Sequence, residues 1–153
     1  MPHAYDEENA RSVDDLRALV AGLDDAALVT DLGGGWTVGM AFAHLAFWDR
    51  RAAAVCALWQ KGIGTNPSPA DDPEDDRTNE ALTALLRLVP PHAAAQLALQ
   101  SAADANAALA SLTPELAEHA SAEDSPIVAH RYRHRREHIA QINEALSRGT
   151  PRP

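Results

Sequence analysis

The sequence predicts an all-α protein, an antiparallel four-helix bundle with one long crossover connection, built as a single domain over residues 1–153. Strand signals are nearly absent, because no segment combines apolar and polar alternation with many β-branched side chains. Alanine and leucine, both good helix formers, dominate the composition. Glycine, proline and acidic stretches divide the chain into four helical segments. A length of 153 residues suits one compact domain.

The first two predicted helices lie in the N-terminal third of the chain. The first covers about residues 12–21 and stops at Gly22, and a short helical turn follows in "DDAALV". The glycines before Trp36 permit positive φ angles and predict a flexible approach to the second helix. That helix has Thr37 as its N-cap and runs to about Lys61.

The long crossover and the third helix follow. Residues 62–77 are rich in glycine, proline and acid, which predicts a solvated surface connection. The third helix covers about residues 78–112. Pro90 and Pro91 must kink or interrupt it, because proline removes a backbone donor and clashes with the preceding turn. The segment "LTPELAEHASAED" is predicted to be a further connection.

The fourth helix is predicted to start at Ser125 as N-cap, with Pro126 at its first position, and to end near Arg148, just before Gly149. Its core face on a helical wheel consists of Val128, Tyr132, Ile139, Ile142 and Leu146. A second stripe beside that face consists of His130, His134, His138 and Gln141. Pointing away from the stripe, and predicted to be solvated, are Arg133, Arg136, Glu137 and Glu144.

Three histidines on two predicted helices are the candidate metal ligands. His44 lies in the middle of the apolar face of the second helix, and His134 and His138 share one face of the fourth because they are four residues apart. If these helices meet across the bundle interior, three neutral imidazoles can hold a divalent cation and leave positions open. Taken singly, His44 also fits a hydrogen-bonded core residue, and the pair fits a chance arrangement on a surface.

The five residues "HRREH" also match the helix motif of an inverted zinc peptidase. Such an enzyme needs a third protein ligand well downstream and a substrate cleft. Only 15 residues follow His138, so the length of the chain argues against a peptidase.

Charge and cysteine content narrow the class of partner to small molecules. The formal net charge of -9 argues against nucleic acid and against an anionic membrane surface, which both require basic residues. Cys56 is the single cysteine, so no internal disulfide can form and a cytoplasmic location is expected. No apolar run approaches the roughly 20 residues that span a bilayer.

Two segments resemble the DinB/YfiT-like superfamily of metalloenzymes. "GGWTVGMAFAHLAFWDRRAA", residues 34–53, is similar to its second-helix signature, and "HRREHIAQI", residues 134–142, to its closing motif. The Trp-Thr-Val sequence also resembles the branch of mycothiol-dependent maleylpyruvate isomerases. The resemblance implies a DinB-like four-helix bundle that binds zinc or nickel through His44, His134 and His138, in a bacterial protein for which a homodimer is expected.

The function implied by the resemblance is a metal-dependent reaction that uses a low-molecular-weight thiol, such as mycothiol, on a small electrophile. Transferase and isomerase chemistry both fit. The ion would make a nucleophile at neutral pH by lowering the pKa of a bound thiol or water. No protein side chain is assigned as the catalytic group. A binding module that holds metal or a small ligand without turnover is the alternative, and a purely structural bundle is the third.

Further pocket residues are proposed from the helical wheels. Arg51 shares the face of His44 and suits a carboxylate clamp, although pairing with an acid of another helix is the simpler expectation. Gln141 and Trp48 are the other candidates for substrate binding, and core packing also explains the tryptophan. His130 is the candidate for proton transfer, or else a lining residue. Between the stripe and the core face lie Arg131 and Arg135, which are expected to pair with acids.

Overall fold

The structure is a computed structural model that describes residues 1–65, 72–127 and 129–149. Within this part the helices are α1 Asp6–Ala21, α2 Asp25–Leu28, α3 Val38–Trp59, α4 Asp72–Leu86, α5 Pro91–Ala110, α6 Pro114–Ser121 and α7 Arg131–Arg148. The strands are β1 Asp31–Gly33 and β2 Trp36–Thr37. The all-α fold class is therefore confirmed. None of the described helices is long and apolar enough to cross a membrane.

Helix α3 lies at the centre of the fold. It packs most extensively on α5 and also contacts α7, while α1 contacts both α5 and α7. Its side chains are buried nearly all round from Val38 to Ala46, as expected for a helix surrounded by other elements. Five buried alanines of α5, from Ala94 to Ala105, are small enough to let the two backbones approach closely. The antiparallel order of four helices stays a prediction.

Gly39 marks the closest approach of these elements. A Cβ atom at this position would lie 3.0 Å from Cβ of Pro91 and 3.3 Å from the carbonyl oxygen of Leu28. We expect Gly39→Ala to lower the free energy of unfolding by about 1–3 kcal/mol, because a well-packed interior resists added volume. Urea unfolding followed by circular dichroism measures this. Gly22→Ala is the control, since a Cβ there meets only backbone oxygens at 3.7 Å or more, and an equal loss in both variants would contradict the packing argument.

A small hairpin precedes α3, although the sequence predicted no strand. Strands β1 and β2 pair in antiparallel register, with Gly33 opposite Trp36. They span three and two residues, too few for an alternating pattern to be visible in sequence. The predicted flexibility of the glycines has its counterpart in positive φ angles at 33, 34 and 35. Thr37 caps α3 as predicted, since its side chain accepts from the backbone N–H of Met40.

Two helices begin earlier than predicted. Helix α1 starts at Asp6 rather than near residue 12, because three acids in its first turn interact favourably with the positive end of the helix dipole. Helix α4 starts at Asp72, so the prediction of a loop over 72–77 is wrong. Proline is tolerated at the start of a helix, and acids follow it at residues 74–76. The remainder of the predicted crossover at 66–71 lies outside the described residues.

The proline pair interrupts the predicted third helix, as expected. Helix α4 ends at Leu86, and α5 begins with Pro91 at its first position. The following segment, predicted as a connection, contains the eight-residue helix α6. Its N-cap is Thr113, whose side chain accepts from the N–H of Leu116. A local cap followed by proline therefore produced a helix where the sequence analysis proposed only a connection.

The predicted start of the fourth helix is wrong. Ser125 does accept a hydrogen bond from the N–H of Ile127, but α7 begins only at Arg131, with His130 at the N-cap position. The cap comes from another helix. The side-chain amide of Asn9 donates to the carbonyl of Ala129 and accepts from the N–H of Tyr132. Val128, predicted on the core face, lies outside the described residues.

Candidate metal centre

Helices α3 and α7 bring three histidine side chains together. Nε2 of His44 lies 3.1 Å from Nε2 of His134, which lies 3.2 Å from Nε2 of His138. One ring nitrogen from each of the three residues lies within 4.8 Å of the corresponding nitrogen of the other two. His44 is buried, at 5% exposure, and the other two are partly buried. The chain thus places the three residues of the predicted ligand set in one cluster.

The spacing of these nitrogens suits a tetrahedral metal ion. Zinc–nitrogen bonds of ~2.0–2.1 Å place neighbouring ligand nitrogens roughly 3.3 Å apart. Three imidazoles leave a fourth position free, which is the arrangement of a catalytic site and not of a closed structural one. Nδ1 of His44 and of His138 is buried without a hydrogen-bond partner among the described residues. The polar contact given for each of these two rings is therefore the one that its Nε2 makes with His134.

Burial keeps the cluster neutral. Desolvation, followed by the charges of His138 and Arg131, lowers the pKa of His44 to about 4. Desolvation and the nearby Arg131 lower the pKa of His134 to about 2. The pKa of His138 is also lowered, chiefly by burial, while Glu137 and Gln141 act in the opposite direction. Neutral imidazoles are the form that binds a metal, so the site is prepared for one well below neutral pH.

The lowered pKa values predict that the metal-free protein loses stability as the pH falls. In the unfolded chain each histidine has a pKa near 6.5 and is protonated below that pH, whereas in the folded site it stays neutral. Because the unfolded state then binds more protons, the free energy of unfolding decreases below about pH 6.5. His44, with a folded pKa of about 4, contributes ~2 kcal/mol of this loss by pH 5. Urea unfolding from pH 7.5 to 5 in a chelator measures it. His44→Gln should make the profile shallower by about that amount, because His134 and His138 still contribute. The exposed His92→Gln should leave it unchanged, and a flat profile in the wild type would contradict the assignment.

A cavity of about 710 Å³ opens beside the three histidines. Its described lining residues are Asp31, Leu32, Gly33, Trp36, Ala41, His44, Asn79, His134, Glu137, His138, Gln141, Glu144, Ala145 and Arg148. The hairpin supplies one wall, and α7 supplies another. The volume is that of a pocket for a small organic ligand.

Two acids predicted to point away from the pocket lie on its wall. Glu137 and Glu144 are exposed to solvent, as predicted, yet both line the cavity. Both acids can be exposed and also line the cavity because the cavity is open to solvent, and they lie at its entrance. Glu137 is close enough to His138 for its charge to raise the pKa of that ring. The cavity wall therefore has a carboxylate close to the histidines, at a position that was predicted only to be solvated.

The structure separates the three candidates for substrate binding. Gln141 lines the cavity. Arg51 does not belong to the described lining: its guanidinium donates to the carbonyl of Pro126 and lies over the ring of Trp48. Among the described residues, the partner given for the Arg51 guanidinium is thus a backbone carbonyl and not an acid. Trp48 contacts His44 edge-on from outside the cavity and donates to Asn79.

His130, the candidate for proton transfer, lies apart from the described lining of the cavity. Because it precedes α7, the helical wheel did not apply to it. Its ring packs edge-on against Tyr5 and Tyr132. Trp36 lies close to the histidine cluster instead, with its ring edge-on to His44 at 5.3 Å between centroids. Cys56 is fully buried, and burial raises its pKa to about 11, so its thiol is not an activated nucleophile.

A buried ionic cluster contacts the group of three histidines through Arg131. Asp49 is fully buried and accepts from Arg131 on one oxygen and from Arg135 on both. The expectation that these two arginines pair with acids is confirmed. Arg131 also donates to Nδ1 of His134 at 2.9 Å. Asp49 was missed in the sequence, although it is the first acid after seventeen residues that contain no Asp, Glu, Lys or Arg.

The fold and the site define a mainly helical protein in which two packed helices carry a group of three histidines that could hold a metal ion. The DinB superfamily matches residues 8–145, which is most of the chain. The chain belongs to the DinB superfamily. No curated protein and no solved structure is similar enough to count as a match.

Proposed function

We propose that the chain binds one divalent ion, zinc or nickel, through Nε2 of His44, His134 and His138, and uses it with a low-molecular-weight thiol in a transferase or isomerase reaction on a small electrophile. The observation that carries this proposal is the convergence of the three nitrogens, at 3.1 and 3.2 Å, on the wall of an open cavity. A bound ion would supply the positive charge that makes a thiol or water nucleophilic at neutral pH.

The carboxylate of Glu137 favours an enzyme over a binding module. It stands on the cavity wall next to His138, where it can accept a proton from a ligand that enters. Gln141 adds an amide donor and acceptor on the same helix. The binding module keeps one point in its favour, because no side chain of the described lining is an activated nucleophile of the protein itself.

The charges on the cavity wall favour a thiol with a neutral, hydroxyl-rich body. Asp31, Glu137 and Glu144 line the cavity, and the one guanidinium in the described lining, that of Arg148, is paired with Glu144. A cosubstrate with several carboxylates would meet repulsion at the mouth. Mycothiol-type thiols are therefore the first to test.

We also propose that the protein is a homodimer. Light scattering of the purified protein tests its oligomeric state.

Metal content is the first test. Untagged protein is analysed by mass spectrometry beside the double variant His134→Ala/His138→Ala, after incubation with zinc or nickel and removal of excess. About one ion per chain, lost in the double variant, would support the site. Absence of metal from the wild type would overturn both the enzyme and the metal-binding alternative.

Turnover separates the enzyme from the binding module. The metal-loaded protein is incubated with neutral and anionic thiols and a panel of small electrophiles, with Glu137→Gln as the variant. We expect adduct formation that depends on the metal and is faster with neutral thiols. Stoichiometric metal without turnover of any pair would leave the binding module as the function.

A further inference from the structure

Arg131 is fixed between an acid and a proposed metal ligand. Its Nε donates to Oδ1 of Asp49 at 2.8 Å, and its Nη2 donates to Nδ1 of His134 at 2.9 Å. The side chain is only 5% exposed. A guanidinium has donors and no acceptor, so Nδ1 of His134 must be the acceptor in this contact. The single proton of the neutral imidazole is therefore on Nε2.

This is the reverse of what a metal ligand requires. A histidine that binds through Nε2 carries its proton on Nδ1 and donates it to a carboxylate, carbonyl or water. Nε2 of His134 faces Nε2 of His44 and of His138, at 3.1 and 3.2 Å, where a bound ion would need its lone pair and not a proton. Arg131 thus holds His134 in the tautomer that does not bind metal through Nε2.

The positive charge of Arg131 also disfavours a metal ion at the three histidines. Arg135 alone donates a hydrogen bond to each carboxylate oxygen of Asp49 and supplies the charge that balances it. Arg135 also donates to Ser12 and Asn106. The buried cluster of one carboxylate and two guanidiniums consequently carries one positive charge in excess. That charge is in hydrogen-bond contact with His134, and in a buried site it repels a dication strongly.

We propose that Arg131 is an affinity-setting residue that opposes metal binding at the three-histidine site. The metal-free state is stabilised by the contact from Arg131 to His134, and a divalent ion binds only when that contact is broken. The site accordingly exchanges its ion more readily than three buried histidines would without the arginine. This inference rests on the proposed function, because it assumes that a divalent ion is bound by these histidines.

Zinc affinity of the full-length chain tests the proposal. It is measured by competition with a chromophoric chelator for the wild type, Arg131→Met and Arg133→Met. Arg133 is the matched control, since it lies on the exposed side of α7 and contacts Tyr132. We expect Arg131→Met to bind zinc roughly tenfold more tightly or better, and Arg133→Met to stay within about twofold of the wild type.

The possible outcomes distinguish a failure of the role proposed for Arg131 from a failure of the proposed function. Zinc binding by the wild type with equal or weaker binding by Arg131→Met would overturn the inference and leave the proposed function standing. Zinc binding by neither protein would overturn both. Binding by the variant alone would support the opposing role of Arg131 and would overturn the proposed function of the wild type.

A measurement on the wild type keeps the test decisive should Arg131→Met fail to fold. Nitrogen chemical shifts of ¹⁵N-labelled histidines report which ring nitrogen carries the proton. In the metal-free protein we expect His134 to be protonated on Nε2, because Arg131 donates to its Nδ1. A proton on Nδ1 of His134 would overturn the proposal, whatever the variants do.

Discussion

Asp49→Asn is expected to lower the free energy of unfolding by about 3–5 kcal/mol, the loss that follows when one partner is removed from a buried ion pair. The substitution keeps the size of the side chain and removes its charge. Arg131 and Arg135, both buried, would then be left without a counter-charge. Domains of this size are stable by only about 5–15 kcal/mol, so part of the population should be unfolded at moderate temperature. Urea unfolding monitored by circular dichroism measures the loss.

The control for this prediction is Asp14→Asn. Asp14 also pairs with an arginine, Arg17, but both side chains are more than half exposed. Exposed pairs contribute little, so we expect a change within about 0.5 kcal/mol. If the two variants lost equal stability, the cluster around Asp49 would not be the support of α3, α7 and α1 that its hydrogen bonds indicate.

The comparison of sequence with structure shows where local signals suffice. Helix α3 was predicted nearly to the residue, because its cap, Thr37, and its apolar face are all encoded within the segment itself. The start of α7 was not, although Ser125 and Pro126 form a good local signal. The cap that the helix uses is Asn9, more than 120 residues away in sequence. A contact of that kind follows from tertiary packing and is invisible in a local pattern.

The same distinction holds for the site. The three histidines could be grouped from sequence because a helical wheel gives the direction of each side chain, and the resemblance supplied the pairing of helices. The wheel does not give the shape of a cavity, so Glu137 was assigned to solvent alone. Nor does it show that a single acid inside an apolar helix, Asp49, must be paired. Buried charge at an isolated position was the signal that could have found it.

His138→Ala is expected to weaken zinc binding by about 100-fold or more, because it removes a ligand and changing even an outer partner of a metal ligand costs 10–100-fold. In the wild type, zinc at about 100 times its dissociation constant should stabilise the fold by ~2.7 kcal/mol and raise the melting temperature by roughly 5–10 °C. The variant should show no such rise. Melting curves with and without zinc measure the difference, and His92→Ala, an exposed histidine far from the cluster, is the control.

Stability without metal separates this variant from Asp49→Asn. His138 is partly buried and its Nε2 contacts the neutral ring of His134, so its removal leaves no buried charge without a partner. We therefore expect the metal-free His138→Ala protein to melt within a few degrees of the metal-free wild type, while Asp49→Asn melts far below it. A full zinc-dependent rise in His138→Ala would exclude the residue as a ligand. A collapse of the metal-free variant would instead assign it a structural role, which the packing of the cluster argues against.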